Sequence, residues 1–187
     1  MTGQAPTIKL AIPDIALLDP AGQSTTLRSY PSPILVVQLV RYFGCLPCQQ
    51  WLLELDGSAE RLARSGAQPV AVGGSADYQA RWLRDDKGVR MPLFLDPDQA
   101  LRDALQIGTL GARLLDPRGL GSYARALRHG LRPQAITRDT VQAPGVVILD
   151  RQRTVIWRHV GKRIGDYPPV SSVIEAVETI VASQRRP

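Results

Sequence analysis

Two cysteines three positions apart constrain this chain more than any other feature. Cys45 and Cys48 are the only cysteines in 187 residues. The stretch from Ile34 to Val40 before them is apolar apart from Gln38 and reads as a buried strand. After them Trp51, Leu52, Leu55, Ala59 and Leu62 recur on one face of a helix. The pair therefore stands where a strand hands over to the first turn of a helix. The unpaired N–H groups and the positive dipole end there favour an anion, and a thiolate is an anion. The expectation is that Cys45 is the more exposed thiol, with a pKa below the ordinary value of ~8.5. Cys48, one turn on, is expected to be sheltered and to resolve a mixed disulfide. With a strand before it, a helix after it and no other cysteine, the C-x-x-C reads as a dithiol/disulfide active site.

The length predicts one domain over residues 1–187, with a core over about 8–182 and frayed ends at 1–7 and 183–187. Hydrophobic content of 44% and charge of 21% are those of an ordinary globular chain. The N-terminus has no apolar leader region and no run approaches the ~20 apolar residues of a membrane span. Paired cysteines without scattered others suit a reducing compartment, so a cytoplasmic location is expected. Net charge is +6, nearly all from arginine, since Lys9, Lys87 and Lys162 are the only lysines. With no zinc-finger spacing and no aromatic-studded basic strand, a mildly basic solvated surface is preferred over nucleic-acid binding.

Strand and helix patterns alternate along the chain, which predicts an α/β sheet covered on both faces. The segments 8–12 and 14–18, the turn Asp19 to Gln23 and the segment 24–27 form an N-terminal hairpin. Residues 69–72 form a short strand, followed by a helix capped by Ser75 with Tyr78, Trp82 and Leu83 on its apolar face. Met91 to Leu95 is a strand, and Ala100, Leu101, Ala104 and Leu105 mark a short helix. Residues 145–149 and 154–158 pair as a hairpin, and Val170 to Val181 is an amphipathic helix. Between these lies an arginine-rich insertion, about 108–142, with a helix over 119–130. It carries Arg113, Arg118, Arg125, Arg128, His129 and Arg132, either facing the cysteines as a lid or solvated at the surface.

The run Arg41, Tyr42, Phe43, Gly44, Cys45, Leu46, Pro47, Cys48 resembles the thioredoxin fold. More closely it is similar to the peroxiredoxin-like branch of the alkyl hydroperoxide reductase/thiol-specific antioxidant (AhpC/TSA) family, over about residues 8 to 180. The resemblance implies a thioredoxin-like α/β fold: a central mixed sheet flanked by helices, with the N-terminal β-hairpin and the helical insertion added. It implies thiol-disulfide chemistry in which Cys45 attacks a disulfide or a peroxide and Cys48 closes the intramolecular bond. Electrons come from a thioredoxin- or glutathione-type thiol donor. No bound cofactor and no metal are implied, because the sulfurs carry the electrons. Pro144, after Ala143, matches the cis-proline position, where the preceding backbone pairs with substrate. Pro47 stiffens the first helical turn. Arg41 either lowers a thiol pKa or faces solvent, and Tyr42 and Phe43 wall the pocket. His159 is a proton shuttle or a structural histidine, and Asp166 a turn or cap residue.

The chain departs from its relatives in ways that bear on chemistry. Laid on the Pro-x-x-x-Thr/Ser-x-x-Cys pattern of peroxiredoxins, Cys48 takes the peroxidatic place, Cys45 the Thr/Ser place and Arg41 the proline place. Pro144 stands where such enzymes carry a later arginine. Leu39 replaces the buried aspartate of thioredoxins, and Gly44 the tryptophan before their first cysteine. Two other readings remain open: half of a zinc site, and a non-catalytic redox switch whose dithiol state controls binding to a protein partner.

Overall fold

The computed structural model describes residues 10–74, 76–128 and 131–184. Among the described residues the strands are β1 (Leu10–Ala11), β2 (Leu17–Leu18), β3 (Ser24–Thr25), β4 (Ile34–Leu39), β5 (Ala67–Gly73), β6 (Leu93–Leu95), β7 (Gly145–Leu149) and β8 (Thr154–Val160). The helices are α1 (Leu46–Gly57), α2 (Ala59–Arg64), α3 (Asp77–Asp85), α4 (Ala100–Ala104), α5 (Pro117–Arg128) and α6 (Val170–Gln184). The strands make one sheet in the order β1-β8-β7-β4-β5-β6-β2-β3.

β4 is central, and all six of its residues are buried. It runs parallel to β5, with Val36 opposite Pro69, and antiparallel to β7, with Val36 opposite Ile148. Its residues alternate between two cores, as the two-residue period of a strand requires. Leu35, Val37 and Leu39 face one layer with Val70, Val72, Val147 and Leu149. Ile34, Val36 and Val40 face the other, where Trp51, Leu52 and Leu55 of α1 meet Val173, Ile174 and Val177 of α6. An apolar run without polar alternation is what a strand covered on both faces needs.

β2 and β3 form the expected N-terminal hairpin, pairing Leu17 with Thr25 and Leu18 with Ser24. Asp19 Oδ1 closes its turn, accepting from the N–H groups of Ala21 and Gln23 at 2.8 Å each. The segment expected as the hairpin's companion strand contributes Leu10 and Ala11, which pair instead with β8 at the far edge. Ile8 and Lys9 lie outside the described residues, as do the expected cap Ser75, the insertion's His129 and the termini 1–7 and 185–187. At the C-terminus α6 continues through Gln184, so Ser183 and Gln184 are helical rather than frayed. On α3 the buried face is Gln79, Ala80 and Leu83, while Tyr78, expected inside, is half exposed.

The insertion carries α5 (Pro117–Arg128), which starts two positions before the expected Gly119, with Pro117 at its first turn; the last two positions of the expected helix, 129–130, lie outside the described residues. Its neck is closed where Leu110 N–H donates to Val141 O and Ala143 N–H to Gly108 O. α5 then packs across α1. Among the described residues no helix is long and apolar enough to cross a membrane. The arrangement is the expected thioredoxin-like one, with the two cysteines on the strand-to-helix turn at the end of β4.

Candidate active site

The turn between β4 and α1 brings the two sulfurs together. Cys45 is the N-cap of α1 and its N–H donates to Tyr42 O at 3.1 Å. Leu46 and Pro47 open the helix, and a proline there forfeits only an N–H that has no helical partner. Cys48 follows one turn on, with its Sγ 2.9 Å from Cys45 Sγ. Both are free thiols. Both are also 0% exposed, so the expected contrast between an open Cys45 and a sheltered Cys48 is overturned. The cover is the insertion. Leu46 is buried against Ala126 and Leu131, with Tyr123 and Leu53 packed beside them. Gln79 ties the cover down, its Oε1 accepting from Gly44 N–H and its Nε2 donating to Ala135 O, both at 2.8 Å. A Cβ on Gly44 would lie 2.6 Å from Gln79 Nε2 and 2.9 Å from Gln134 Cβ, so glycine is the residue that fits.

Two buried guanidiniums flank the dithiol. Arg41, 1% exposed, places Nη1 3.6 Å from Cys45 Sγ, and its Nη2 donates to Thr140 O. Its guanidinium also lies 5.8 Å from the Tyr42 ring centroid. Arg102, from α4 and 2% exposed, donates from Nη1 to Ala143 O at 2.7 Å and from Nη2 to Val40 O. Tyr167 reaches in from the loop before α6. Its hydroxyl donates to Leu39 O at 3.2 Å while Cys48 is a thiol, and its one proton turns to Cys48 when that sulfur is a thiolate. Its ring stacks on Trp51 with centroids 5.0 Å apart, and Trp51 Nε1 donates to Pro168 O at 2.6 Å. Gln38 Nε2 donates to Cys48 O at 3.1 Å.

This setting separates the two thiols in the sense opposite to the one the sequence suggested. Burial alone would push Cys48 up. Hydrogen bonds from Cys45 and Tyr167, the Arg41 charge and the Arg41 backbone N–H outweigh it and bring Cys48 down to about 7. Burial pushes Cys45 up, and the neighbouring Cys48 pushes it further, so Cys45 stays a thiol and donates to its partner. Burial also raises Tyr42. The arrangement supports one thiolate, on Cys48, beside a hydrogen-bonded thiol on Cys45.

The Ala143–Pro144 bond is trans, since no cis peptide bond occurs among the described residues. Ala143 is not free to pair with a substrate strand. Its N–H goes to Gly108 and its carbonyl to Arg102, while Pro144 O accepts from Gly161 N–H. Pro144 is buried and walls the floor beside Gly161, where an added Cβ would meet its Cγ at 2.6 Å. Arg41 lies beside the Cys45 sulfur, and Tyr42 is buried next to it. Arg113, Arg118, Arg125, Arg128 and Arg132 of the insertion are all exposed, so none of them faces the cysteines. His159 bonds Asp166 O through Nε2 at 2.9 Å, and Asp166 Oδ2 accepts from Lys162 N–H at 2.7 Å. Both therefore brace the β8–α6 turn rather than touch sulfur.

Arg102, Tyr167, Tyr123, Gln38 and Gln79 were not singled out by the sequence. Gln38, the one polar residue in an otherwise apolar strand, was the available signal. Arg102 carried none, because a lone arginine on a short amphipathic helix normally points to solvent.

A cleft of about 270 Å³ opens beside the pair, lined by Pro47, Trp51, Glu54, Ser122, Arg125 and Tyr167 among others. A larger one, about 580 Å³, lies by Pro33, Pro69 and Met91, at the strand ends remote from the cysteines.

The chain is similar to known proteins along most of its length. Thioredoxin-like protein AAED1, chloroplastic, from Arabidopsis thaliana is 23% identical over 150 residues, covering 75% of this chain. The chain spans 60% of the length of that relative. Among solved structures, peroxidoxin BcpB from Mycobacterium tuberculosis superposes with a TM-score of 0.69 at 11% identity, covering 93% of this chain and 97% of that one. Peroxiredoxin Q from Xanthomonas campestris gives 0.62 at 17% identity, covering 94% and 97%. The model of the AhpC/TSA family matches residues 8–158, well over half of the sequence, and the chain belongs to that family.

Proposed function

We propose that this chain is a thiol-dependent oxidoreductase of the peroxiredoxin type, cycling Cys45 and Cys48 between dithiol and disulfide. The observation that carries the reading is the pair itself: two free sulfurs 2.9 Å apart at the start of α1, one of them ringed by hydrogen-bond donors and positive charge. Membership of the AhpC/TSA family supports it. The Cys48 thiolate attacks the distal oxygen of a hydroperoxide. The O–O bond breaks, Cys48 becomes a sulfenic acid, and the alkoxide or hydroxide leaves and takes a proton. The Cys45 sulfur then attacks Cys48, the S–O bond breaks, and water leaves with the Cys45 proton. A thioredoxin- or glutathione-type donor returns two electrons. A disulfide substrate enters the same cycle by exchange at Cys48. The roles are thus the reverse of those first expected, and agree with the alignment that puts Cys48 in the peroxidatic place.

Arg41 and Arg102 supply the positive charge that family members draw from the arginine replaced here by Pro144. Tyr167 supplies the hydrogen bond near the inner sulfur that the missing buried aspartate does not. Pro47 and Gly44 shape the turn, and Ala143 and Pro144 form its floor. A reducing compartment such as the cytoplasm suits a dithiol that must be regenerated.

Mixing the reduced protein with hydrogen peroxide, and separately with a small disulfide, tests the reading. Expected is formation of the Cys45–Cys48 bond, seen as a loss of two mass units, with peroxide faster than a free thiol's reaction. Peroxide reactivity equal to that of a free thiol, with fast disulfide exchange, would move the function to disulfide reduction. The switch reading is favoured by one observation, the insertion's hold on Arg41 through Thr140 and Tyr123. It predicts redox-dependent partner binding without turnover.

A further inference from the structure

Arg41 and Arg102 are two buried cations close to the dithiol. Both are nearly inaccessible, and neither forms a salt bridge among the described residues. Their hydrogen bonds go to the neutral carbonyls of Thr140, Ala143 and Val40 and, from Arg41 Nη1, to Cys45 Sγ at 3.6 Å, while Arg41 Nε has no partner among the described residues. The carboxylates of Asp96 and Asp139 bear on Arg102 from beyond salt-bridge distance, and so does Cys48. A buried charge left uncompensated is destabilising. The sulfur whose charge bears on both is Cys48. That sulfur is negative only in the reduced form, since a disulfide carries no charge.

We propose that this imbalance makes Cys45–Cys48 an oxidising couple. Its disulfide is a stronger oxidant than thioredoxin's, and the thiol that reduces it is a small monothiol of the glutathione class. The proposal rests on the dithiol cycle above and deepens it. Closing the disulfide removes this anion from the surroundings of two buried guanidiniums. Reduction restores the anion. In the balanced step, two monothiols give up two electrons and two protons and become one disulfide. The Cys45–Cys48 bond breaks, Cys45 keeps one proton as a thiol, Cys48 remains a thiolate and the second proton goes to solvent.

Access points to the same donor class. With both sulfurs fully covered, a folded donor protein has no exposed sulfur to attack, whereas the 270 Å³ cleft reaches Pro47 and Tyr167, which touch the pair. Its size is near the lower end for small-ligand sites. Its lining includes both Arg125, which has no ion pair among the described residues, and Glu54. That suits a small peptide thiol bearing both carboxylate and ammonium groups.

Equilibration in glutathione redox buffers, read by intact mass after acid quenching, tests the potential without any peroxide. At the ratio that holds thioredoxin half oxidised, this protein is expected to be at least tenfold more reduced than oxidised, about 30 mV for a two-electron couple. A couple half oxidised or more at that ratio would overturn the proposal. A chain that never forms the Cys45–Cys48 bond would instead refute the cycle itself. Arg102→Met and Arg41→Met are each expected to shift the equilibrium about tenfold toward the disulfide; unchanged equilibria in folded variants would also overturn it. A measurement needing no variant backs these up: the reduced wild type is expected to melt above the oxidised form. A disulfide form that melts higher would contradict the proposal. Arg125→Ala should slow reduction by glutathione several-fold and leave the equilibrium where it was; an unchanged rate would remove the cleft from the argument for the donor.

Discussion

Cys45 Sγ and Cys48 Sγ stand 2.9 Å apart with neither sulfur exposed, and their surroundings treat them differently. Cys48 collects the hydrogen bonds of Cys45, Tyr167 and the Arg41 backbone, while Cys45 is pushed up by burial and by Cys48 itself. Cys45→Ser should therefore keep the fast first reaction and stop there, trapping a sulfenic acid or a mixed disulfide on Cys48. Cys48→Ser should lose the fast step. At pH 7 a thiol near its ordinary pKa is only a few per cent thiolate, against about half for one near 7, so the loss is at least roughly tenfold. Stopped-flow rates with hydrogen peroxide and mass analysis of the quenched products check both variants. A trapped adduct on Cys45 in the Cys48→Ser protein, formed at the wild-type rate, would reverse the assignment.

The same asymmetry makes the stability of the reduced protein depend on pH. Cys48 titrates at about 7 in the folded chain and at ~8.5 unfolded. Between those values the unfolded chain holds a proton that the folded chain has released, so stability rises with pH. The contribution is complete above the unfolded value and is lost as pH falls through 7. A difference of ~1.5 pH units corresponds to about 2 kcal/mol. Cys45, pushed the other way, keeps its proton when folded while the unfolded chain begins to lose it near ~8.5, so it subtracts a smaller amount at the top of this window. Urea unfolding of reduced wild type at pH 6 and pH 8.5, compared with Cys48→Ser, should show the extra gain only in the wild type. Identical pH dependence in the two proteins would mean that no thiolate forms on Cys48.

The sheet and the cysteine turn were legible because they depend on local signals: an apolar run too continuous for a half-exposed strand, and a proline beside two cysteines at a helix start. The charge environment was not legible, because it depends on distant residues meeting. Arg102 lies 54 positions beyond Cys48 in sequence. It arrives only because Asp96 caps the start of α4 through Leu101 N–H at 2.9 Å and turns that helix toward Val40 and Ala143. Pro144 misled for a related reason. Its sequence position matches a substrate-binding proline, but whether Ala143 is available depends on Arg102, which takes its carbonyl.

The neck of the insertion is pinned at Gly74. A Cβ there would fall 1.9 Å from Asp139 Oδ2 and 2.2 Å from its Cγ. Asp139 is 3% exposed, and its Oδ1 accepts from Gln99 Nε2 at 3.1 Å. Gly74→Ala must drive this buried carboxylate off its partners, at a cost of about 1–3 kcal/mol by the usual scale of overpacking. Thr140, next to Asp139, accepts from Arg41, so the cover should loosen as well. Urea unfolding measures the first effect, and faster tryptic cleavage after Arg125, Arg128 and Arg132 the second. A variant as stable and as protease-resistant as wild type would show that Asp139 does not hold the neck.

Tyr123 should govern how large a molecule reaches the sulfurs. It packs beside Leu46, Ala126 and Leu131 in a cluster separate from the two main cores, and its hydroxyl bonds Arg41. So small a cluster holds α5 weakly. Removing a half-buried ring withdraws about 100 Å² of apolar contact, about 2 kcal/mol, which shifts the opening of α5 by tens of fold. Tyr123→Ala should therefore speed reaction with a bulky aromatic disulfide about tenfold or more, relative to hydrogen peroxide. The ratio of the two rates is the informative quantity, because any change in the Cys48 thiolate acts on both reagents alike. A ratio unchanged from wild type would mean that reagents reach Cys48 by a route that leaves α5 in place.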